Sequence, residues 1–321
     1  REGLKNTVQT GYPLAMKVRF IINPSAGPKR GRLVERITAA TREVFTGEEG
    51  LCDIKVSPRK GAVAVLARDA VRLSFDFVFV SGGDGTVNEA ASILVGTGTA
   101  LGIIPTGSGN GLAGALRIPE NVRKAVGLLK DGRVRDIDAG RSCGRYFFST
   151  AAFALEARLS LSYDKGFISR RLRGVFPYAP LALVEYLRYK PQLVRVSADG
   201  ESFETRPLIL TAANSDRYGR GTLIAPEASL DDGLLDLCIA PRVNFARSLG
   251  LAGRLVSGPI GRSLDLRRIR ASVIRLSGMD EWTVELDGEP FLWNGAVEIS
   301  VRGRSLRVLA PRLPAAPGPV E

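Results

Sequence analysis

The sequence predicts an α/β domain on a parallel sheet, followed by a mainly antiparallel β domain. Three observations predict this. Apolar strand-like runs alternate with amphipathic helical runs up to about Asp138. Beyond that point strand-like runs follow one another, with Asp-Gly and Asn-Gly turns between several of them. A length of 321 residues is enough for two hydrophobic cores.

Lys17–Ile22 reads as the first strand, ended by Asn23-Pro24. Leu33, Ile37, Ala40 and Val44 recur at helical spacing. Asp53–Val56 is a second strand, and Val63, Leu66, Ala67, Ala70 and Val71 mark a second helix. Phe75–Val80 and Ala100–Ile104 are the third and fourth strands, each with a helix behind it; the helix after the third is read from Thr86 to Val95. Such alternation argues for parallel pairing with both sheet faces covered. In the second half, strands are read at Tyr146–Ala151, Gln192–Ser197, Leu208–Ala213, Leu234–Ala240, Arg270–Leu276, Trp282–Leu286 and Ala296–Val301. Asp199-Gly200, Asp232-Gly233, Asp287-Gly288 and Asn294-Gly295 supply turns. Helical stretches interrupt near Ile168–Arg188 and Phe245–Leu255. The tail from Pro311, rich in Pro and Ala, reads as disordered, residues 313–321 above all.

Composition narrows the chemistry. No run approaches the roughly 18 consecutive apolar residues that span a bilayer. The first residues lack the apolar core of a secretory signal, and Met16 is a candidate start. Cys52, Cys143 and Cys238 are far apart with no CxxC spacing, which fits a reducing cytoplasm. The chain has no histidine, so Ser-His-Asp triads and His-based metal sites are excluded. A general base must then be a carboxylate, a lysine or a tyrosine. The net charge of +12 reads either as a match for an anionic partner or as a solubility charge. No basic-aromatic nucleic-acid module is present, so nucleic acid is not an expected partner.

Three loops of small residues follow strands of the first domain. They are Asn23-Pro24-Ser25-Ala26-Gly27, Gly82-Gly83-Asp84-Gly85-Thr86 and Pro105-Thr106-Gly107-Ser108-Gly109-Asn110. Carboxyl ends of parallel strands gather along one edge, where ligands bind. Glycine permits left-handed backbone and lets a ligand come close, and a helix start offers N–H groups to phosphate. Each loop alone is an ordinary turn; their convergence points to a nucleotide. Asp84, the one acid in its loop, suits a metal or metal-bound water. Lys29 and Arg30, just beyond the first loop, are either phosphate contacts or solvated cations. No GK[ST] follows, so this is not a Walker A loop. Gly109-x-Gly111-x-x-Gly114 matches a dinucleotide pattern but follows the fourth strand, not the first. In the second half, Asp287-Gly288-Glu289-Pro290 reads as a hairpin turn or as a pair of working acids. Asp231-Asp232-Gly233-Leu234 reads as a turn or as an oxygen-ligand cation site.

Asn23-Pro24, GGDGT with Asn88-Glu89, PTGSGNGLA, the Asp231–Asp236 run and the final Asp-Gly-Glu occur in one fixed order. That order resembles the diacylglycerol kinase catalytic family, which includes sphingosine kinases and bacterial soluble lipid kinases. The resemblance runs from about Lys17 to Arg312, and the GSGN form of the third loop looks closer to sphingosine kinases. GGDGT alone also occurs in NAD kinases and phosphofructokinases. The resemblance implies an α/β domain with a parallel sheet, of the NAD kinase/diacylglycerol kinase type, plus a mainly antiparallel β-sandwich. It implies a nucleotide domain over 16–138, completed by a returning strand at about 302–312, and a substrate domain over 139–301. It implies ATP and Mg2+ as cofactors, with Asn23, Pro24, Ser25, Gly27, Lys29, Gly82, Gly83, Gly85, Thr86, Glu89, Gly107, Ser108, Gly109 and Asn110 around the nucleotide. Glu289 is implied as general base, Asp84 as the metal-side acid and Asp287 as its helper. Asp231, Asp232 and Leu234 are implied as a structural magnesium loop.

Glu156, in "AFALEA", stands where sphingosine kinases hold the lipid head group; a surface acid beside a strand is the competing reading. Residues 165–190 mix cations with Phe167, Ile168, Phe176 and Tyr178, which fits either an anionic membrane face or a core-facing helix with a basic outer side. The leading expectation is a cytoplasmic lipid kinase that visits the inner membrane face, with a homodimer as one option. The alternatives are a kinase for a soluble acceptor and a nucleotide-binding regulator without catalysis.

Overall fold

A computed structural model of the chain describes residues 16–25, 32–44, 51–59, 61–165, 178–218, 222–241 and 266–312. The helix expected at Phe245–Leu255, the tail at 313–321 and the first part of Ile168–Arg188 lie outside these residues.

The first half builds β1 (Lys17–Ile22), α1 (Leu33–Val44), β2 (Leu51–Val56), α2 (Ala62–Arg72), β3 (Phe77–Gly82), α3 (Asp84–Leu94), β4 (Ala100–Pro105), α4 (Gly111–Ala115) and α5 (Val122–Asp131). The strands lie in the order β2-β1-β3-β4, all parallel. β3 and β4 are buried over their whole length, as helix-covered strands must be. β3 begins two residues later than the sequence reading, at Phe77, because the Phe75 N–H stays with Ala70 O at the end of α2, 3.0 Å away. α3 begins two residues earlier than expected, at Asp84, so GGDGT is a strand end running straight into a helix start.

The second half builds β5 (Gly132–Ser142), β6 (Arg145–Phe147), β7 (Thr150–Ala152), α6 (Leu155–Lys165), α7 (Tyr178–Arg188), β8 (Val194–Ala198), β9 (Glu201–Thr205), β10 (Pro207–Ala213), β11 (Arg217–Tyr218) and β12 (Thr222–Leu223). It continues through β13 (Leu235–Pro241), β14 (Arg267–Ala271), β15 (Val273–Ser277), β16 (Glu281–Leu286), β17 (Glu289–Asn294) and β18 (Val297–Pro311). The order β14-β13-β10-β7-β16-β17 makes one antiparallel sheet. Its inner residues Leu210, Leu237 and Trp282 share a core with Val196 of β8, Ile274 of β15 and Ile299 of β18. This is the expected sandwich. Trp282 is fully buried and meets Phe153 edge-on, with ring centroids 6.4 Å apart.

Two strands join the halves. β18 pairs with β15 and β5 antiparallel, then reaches β4 in parallel at Val308↔Leu101. The boundaries drawn at 138 and 301 therefore fall inside β5 and β18 rather than in linkers.

Two expected strands are each split, for visible reasons. Tyr146–Ala151 becomes β6 and β7 because the N–H groups of Phe148 and Ser149 leave the ladder for the Asp287 carboxylate, both at 2.8 Å. Arg270–Leu276 becomes β14 and β15 because the chain changes sheets at Ser272, where the Ser272 and Val273 N–H groups bind Asp199, each at 2.9 Å.

Glycine at 102 is set by packing. A Cβ there would come 2.6 Å from the Phe79 ring in the buried centre of the sheet. Gly102→Ala is expected to lower unfolding stability by about 1–3 kcal/mol through overpacking, read as a lower urea midpoint with an unchanged slope.

Candidate active site

Asn23 caps the end of β1. Its N–H donates to Ser81 O, and its Nδ2 donates to Thr86 Oγ1, both at 3.0 Å, which fastens the first loop to the first turn of α3. Asp84 joins the second loop to the third. Its Oδ2 accepts the Asn110 N–H at 2.7 Å, and its Oδ1 accepts the Gly111 N–H at 2.6 Å. The glycines serve close approach. None of Gly82, Gly83, Gly85, Gly107 and Gly109 has a left-handed φ; in these loops that backbone belongs to Asn110, at 56°. A Cβ on Gly107 would lie 2.3 Å from the Gly83 Cα, and one on Gly109 would lie 2.3 Å from Asp84 Oδ2.

The β16–β17 hairpin brings acids from the second half to the same place. Asp287 and Gly288 form its two-residue turn with φ of 48° and 86°, as a tight hairpin needs. The Asp287 carboxylate accepts N–H groups of Phe148 (2.8 Å), Ser149 (2.8 Å) and Thr150 (3.2 Å), and the Asn88 Nδ2 of α3 (2.8 Å). Glu289 follows, at the start of β17. A Cβ on Gly85 would meet Glu289 Oε1 at 2.7 Å, so this carboxylate rests on the first turn of α3. A cleft of about 390 Å3 lies there, lined by Asn23, Ser25, Gly83, Asp84, Gly85, Thr86, Glu89 and Glu289.

Residues 17–142 match the diacylglycerol kinase catalytic domain, and residues 160–310 match the YegS C-terminal NAD kinase beta sandwich-like domain. A diacylglycerol kinase of Mycobacterium tuberculosis is 32% identical over 305 residues, covering 92% of this chain and 96% of that protein. The chain belongs to the diacylglycerol kinase catalytic family. Other members are a probable lipid kinase YegS-like of Pseudomonas aeruginosa, 30% identical with 87% and 89% covered, and a diacylglycerol kinase of Bacillus subtilis, 27% identical with 85% and 89% covered. A crystal structure of a putative diacylglycerol kinase from Bacillus anthracis shares the fold, with a TM-score of 0.73, 20% identity, and 92% and 96% of the two chains covered. This chain is a lipid kinase, and family membership implies ATP as its phosphate donor.

Within this kinase, the other expected site residues fall in several places. Ser108 is exposed at the tip of its loop, and the third loop packs on Gly83 and Asp84 without lining the cleft. Glu89 lines the cleft while its Oε1 accepts the Ala64 N–H at 2.9 Å, capping α2, whose N-cap Gly61 has no side chain to do so. Gly27 and Lys29 lie outside the described residues. Ser57, Pro58 and Arg59 line the cleft and were missed by the sequence reading. Their signal was available: they follow the second strand of a parallel sheet, at the same edge as the other loops, and carry a cation.

Glu156 is not a surface acid. It lies in the first turn of α6, with Oε1 accepting from Leu210 N at 2.8 Å and Thr211 Oγ1 at 2.7 Å, and Oε2 is buried without a hydrogen bond in the described structure. Burial pushes this carboxyl above its usual range. In the Asp231–Asp232 loop both acids meet arginines. Asp231 accepts from Ser229 Oγ at 2.8 Å and pairs with Arg135 at 3.1 Å, and these contacts hold it below its usual value. Asp232 pairs with Arg270 and accepts the Leu234 N–H at 3.0 Å. Each carboxylate already has a guanidinium, and no group of three or more metal-binding side chains occurs among the described residues.

Burial pushes Asp287 up to about 6 against its four N–H donors. It pushes Glu285, which accepts the Gly288 N–H, from 4.5 up to about 8, with Asp287 adding to the rise. The folded chain thus keeps a proton on Glu285 that the unfolded chain releases. Stability from this group is fully present below about pH 4.5 and falls as pH rises toward 8. Glu285→Gln removes that loss, and its thermal stability relative to the unchanged protein is expected to rise by about 1–3 kcal/mol between pH 5 and pH 8, checked by calorimetry at both.

Proposed function

We propose that the cleft binds ATP and that Glu289 takes the proton from a lipid hydroxyl as that hydroxyl attacks the γ-phosphate. The carrying observation is the Glu289 carboxylate, delivered by the second half of the chain, resting on Gly85 beside Asp84. Phosphoryl transfer is mostly positioning and charge neutralisation, with one group to accept a proton. The start of α3 and the neighbouring loops offer N–H groups to the phosphates, and Arg59 is a cation on the same cleft. Residues 16–138 with 302–312 act as the nucleotide lobe, and 139–301 as the acceptor lobe.

Mg2+ is commonly held by one or two carboxylates together with substrate phosphates. Asp84 fits that mode: it lines the cleft, and a carboxylate oxygen has lone pairs for more than one partner. A bound magnesium supplies charge neutralisation on the phosphates. Asp287 orients the turn, and Glu156 holds the polar head of the acceptor through its buried Oε2. Relatives named diacylglycerol kinase make diacylglycerol the first acceptor to test, with sphingoid bases and related long-chain alcohols next.

The lipid is met at an anionic cytoplasmic membrane face. α7 supports this: Leu183, Val184 and Leu187 share a stripe and are 45%, 40% and 63% exposed, with Arg188 and Lys190 beside them. No helix among the described residues is long and apolar enough to cross a membrane.

Labelled ATP with a lipid extract, resolved by chromatography, is expected to give a labelled phospholipid; label only on a water-soluble product overturns the reading. Glu289→Gln is expected to cut turnover by about 10²–10⁴-fold, the usual worth of a general base, while ATP binding persists. Leu183→Asp with Leu187→Asp is expected to abolish flotation with anionic vesicles and to leave phosphorylation of a micellar short-chain diacylglycerol near its original rate.

A further inference from the structure

Glu285 takes no part in the reaction proposed above, yet it is only 6% exposed. It lies on β16 between Val284 and Leu286, which face the sandwich core with Trp282, so Glu285 points to the opposite face of the sheet. The charged groups acting on it are the carboxyls of Asp287, Glu156 and Asp84. No cation offsets its burial among the hydrogen bonds and ion pairs of the described residues. What it does hold is one amide, the N–H of Gly288.

That amide sits at a weak point. In a two-residue hairpin the ladder closes through the flanking pair, here Leu286↔Glu289, so the second turn residue has no ladder partner for its N–H. Packing does not fix the turn either, since a Cβ on Gly288 would meet no atom within 4 Å. Pro290, opposite Glu285, brings no N–H of its own. Asp287 anchors the turn to β7 and α3 on one side. The N–H of the Asp287–Gly288 peptide, at the centre of the turn, is held by Glu285.

We infer that Glu285 is a positioning residue: by accepting the Gly288 N–H it fixes the Asp287–Gly288 peptide at the centre of the turn, one residue before Glu289, and so holds the Glu289 carboxylate against Gly85. The inference rests on the reading of Glu289 as the base. Glutamine keeps an acceptor oxygen at the same reach; alanine has none; aspartate is one methylene too short.

The test compares Glu285→Gln, Glu285→Ala and Glu285→Asp in the full chain. The alanine and aspartate variants are expected to lose about 10–100-fold in kcat with KM for ATP unchanged, the scale of a misplacement near 1 Å. The glutamine variant is expected to stay within about 3-fold of the unchanged protein, because its amide oxygen still accepts the bond. Hydrogen exchange at the Gly288 amide is expected to be fast in the alanine and aspartate variants and slow in the glutamine variant. Full kcat in both the alanine and aspartate variants overturns the inference, as does a glutamine variant as slow as alanine with its amide still protected. If the alanine variant does not fold, the aspartate variant carries the comparison. An unchanged protein that phosphorylates no lipid sinks the kinase reading instead, and the exchange measurement then still decides whether Glu285 holds the turn.

Discussion

The Asp287 carboxylate is the point at which the two halves of this kinase grip each other. Three of its hydrogen bonds come from successive backbone amides, Phe148 to Thr150, and the fourth from Asn88 on the helix that begins at Asp84. The same contact interrupts one strand, pins one hairpin and ties both to the edge where the glycine loops gather. Burying a carboxylate is costly unless its lone pairs are satisfied. Here three donors come from the second half and the fourth, Asn88, from the first, so the group ties the halves together at this point.

The loops around the cleft use a second economy of the same kind. They meet backbone to backbone, Gly107 on Gly83, and carboxylate to backbone, Asp84 on Asn110 and Gly111. Side chains have been removed where two loops must touch. The small residues therefore explain the shape of the edge before any ligand is considered, and the same closeness sets the start of α3 against the cleft. A motif built of glycines reports a crowded junction as well as a ligand.

Most of the first half was legible because its strands are continuous apolar runs and its helices are amphipathic, each pattern set by burial on a fixed period. The parallel order and the loop edge followed from that alternation. In the second half the core strands were legible for the same reason. Five strands were not: β5 reads GRVRDIDAGRS, β9 reads ESFET, β17 opens on Glu289-Pro290, and β11 and β12 are two residues each. Charge or proline at the positions that face water hides the first three from a hydropathy reading. The splits at Phe148 and Ser272 were also hidden, since each depends on a carboxylate distant in sequence. Of the site, Asp84, Glu289 and Asp287 stood out as residues, Ser57–Arg59 were marked only by their place after the second strand, and Glu285 was not marked at all. The loop after β2 lacks the glycine density that marks its neighbours, and Glu285 looks like an ordinary outward-facing strand residue until the turn beside it is seen.

The pairing of β4 with β18 carries a practical consequence. β4 is apolar and buried from Ala100 to Pro105, and its far neighbour arrives only from the last described strand of the chain. A fragment ending near Asp138 would therefore present a bare greasy edge with unpaired amides, the kind of surface that recruits other strands and precipitates. During synthesis the first half has to wait, incomplete, until Val308 has emerged.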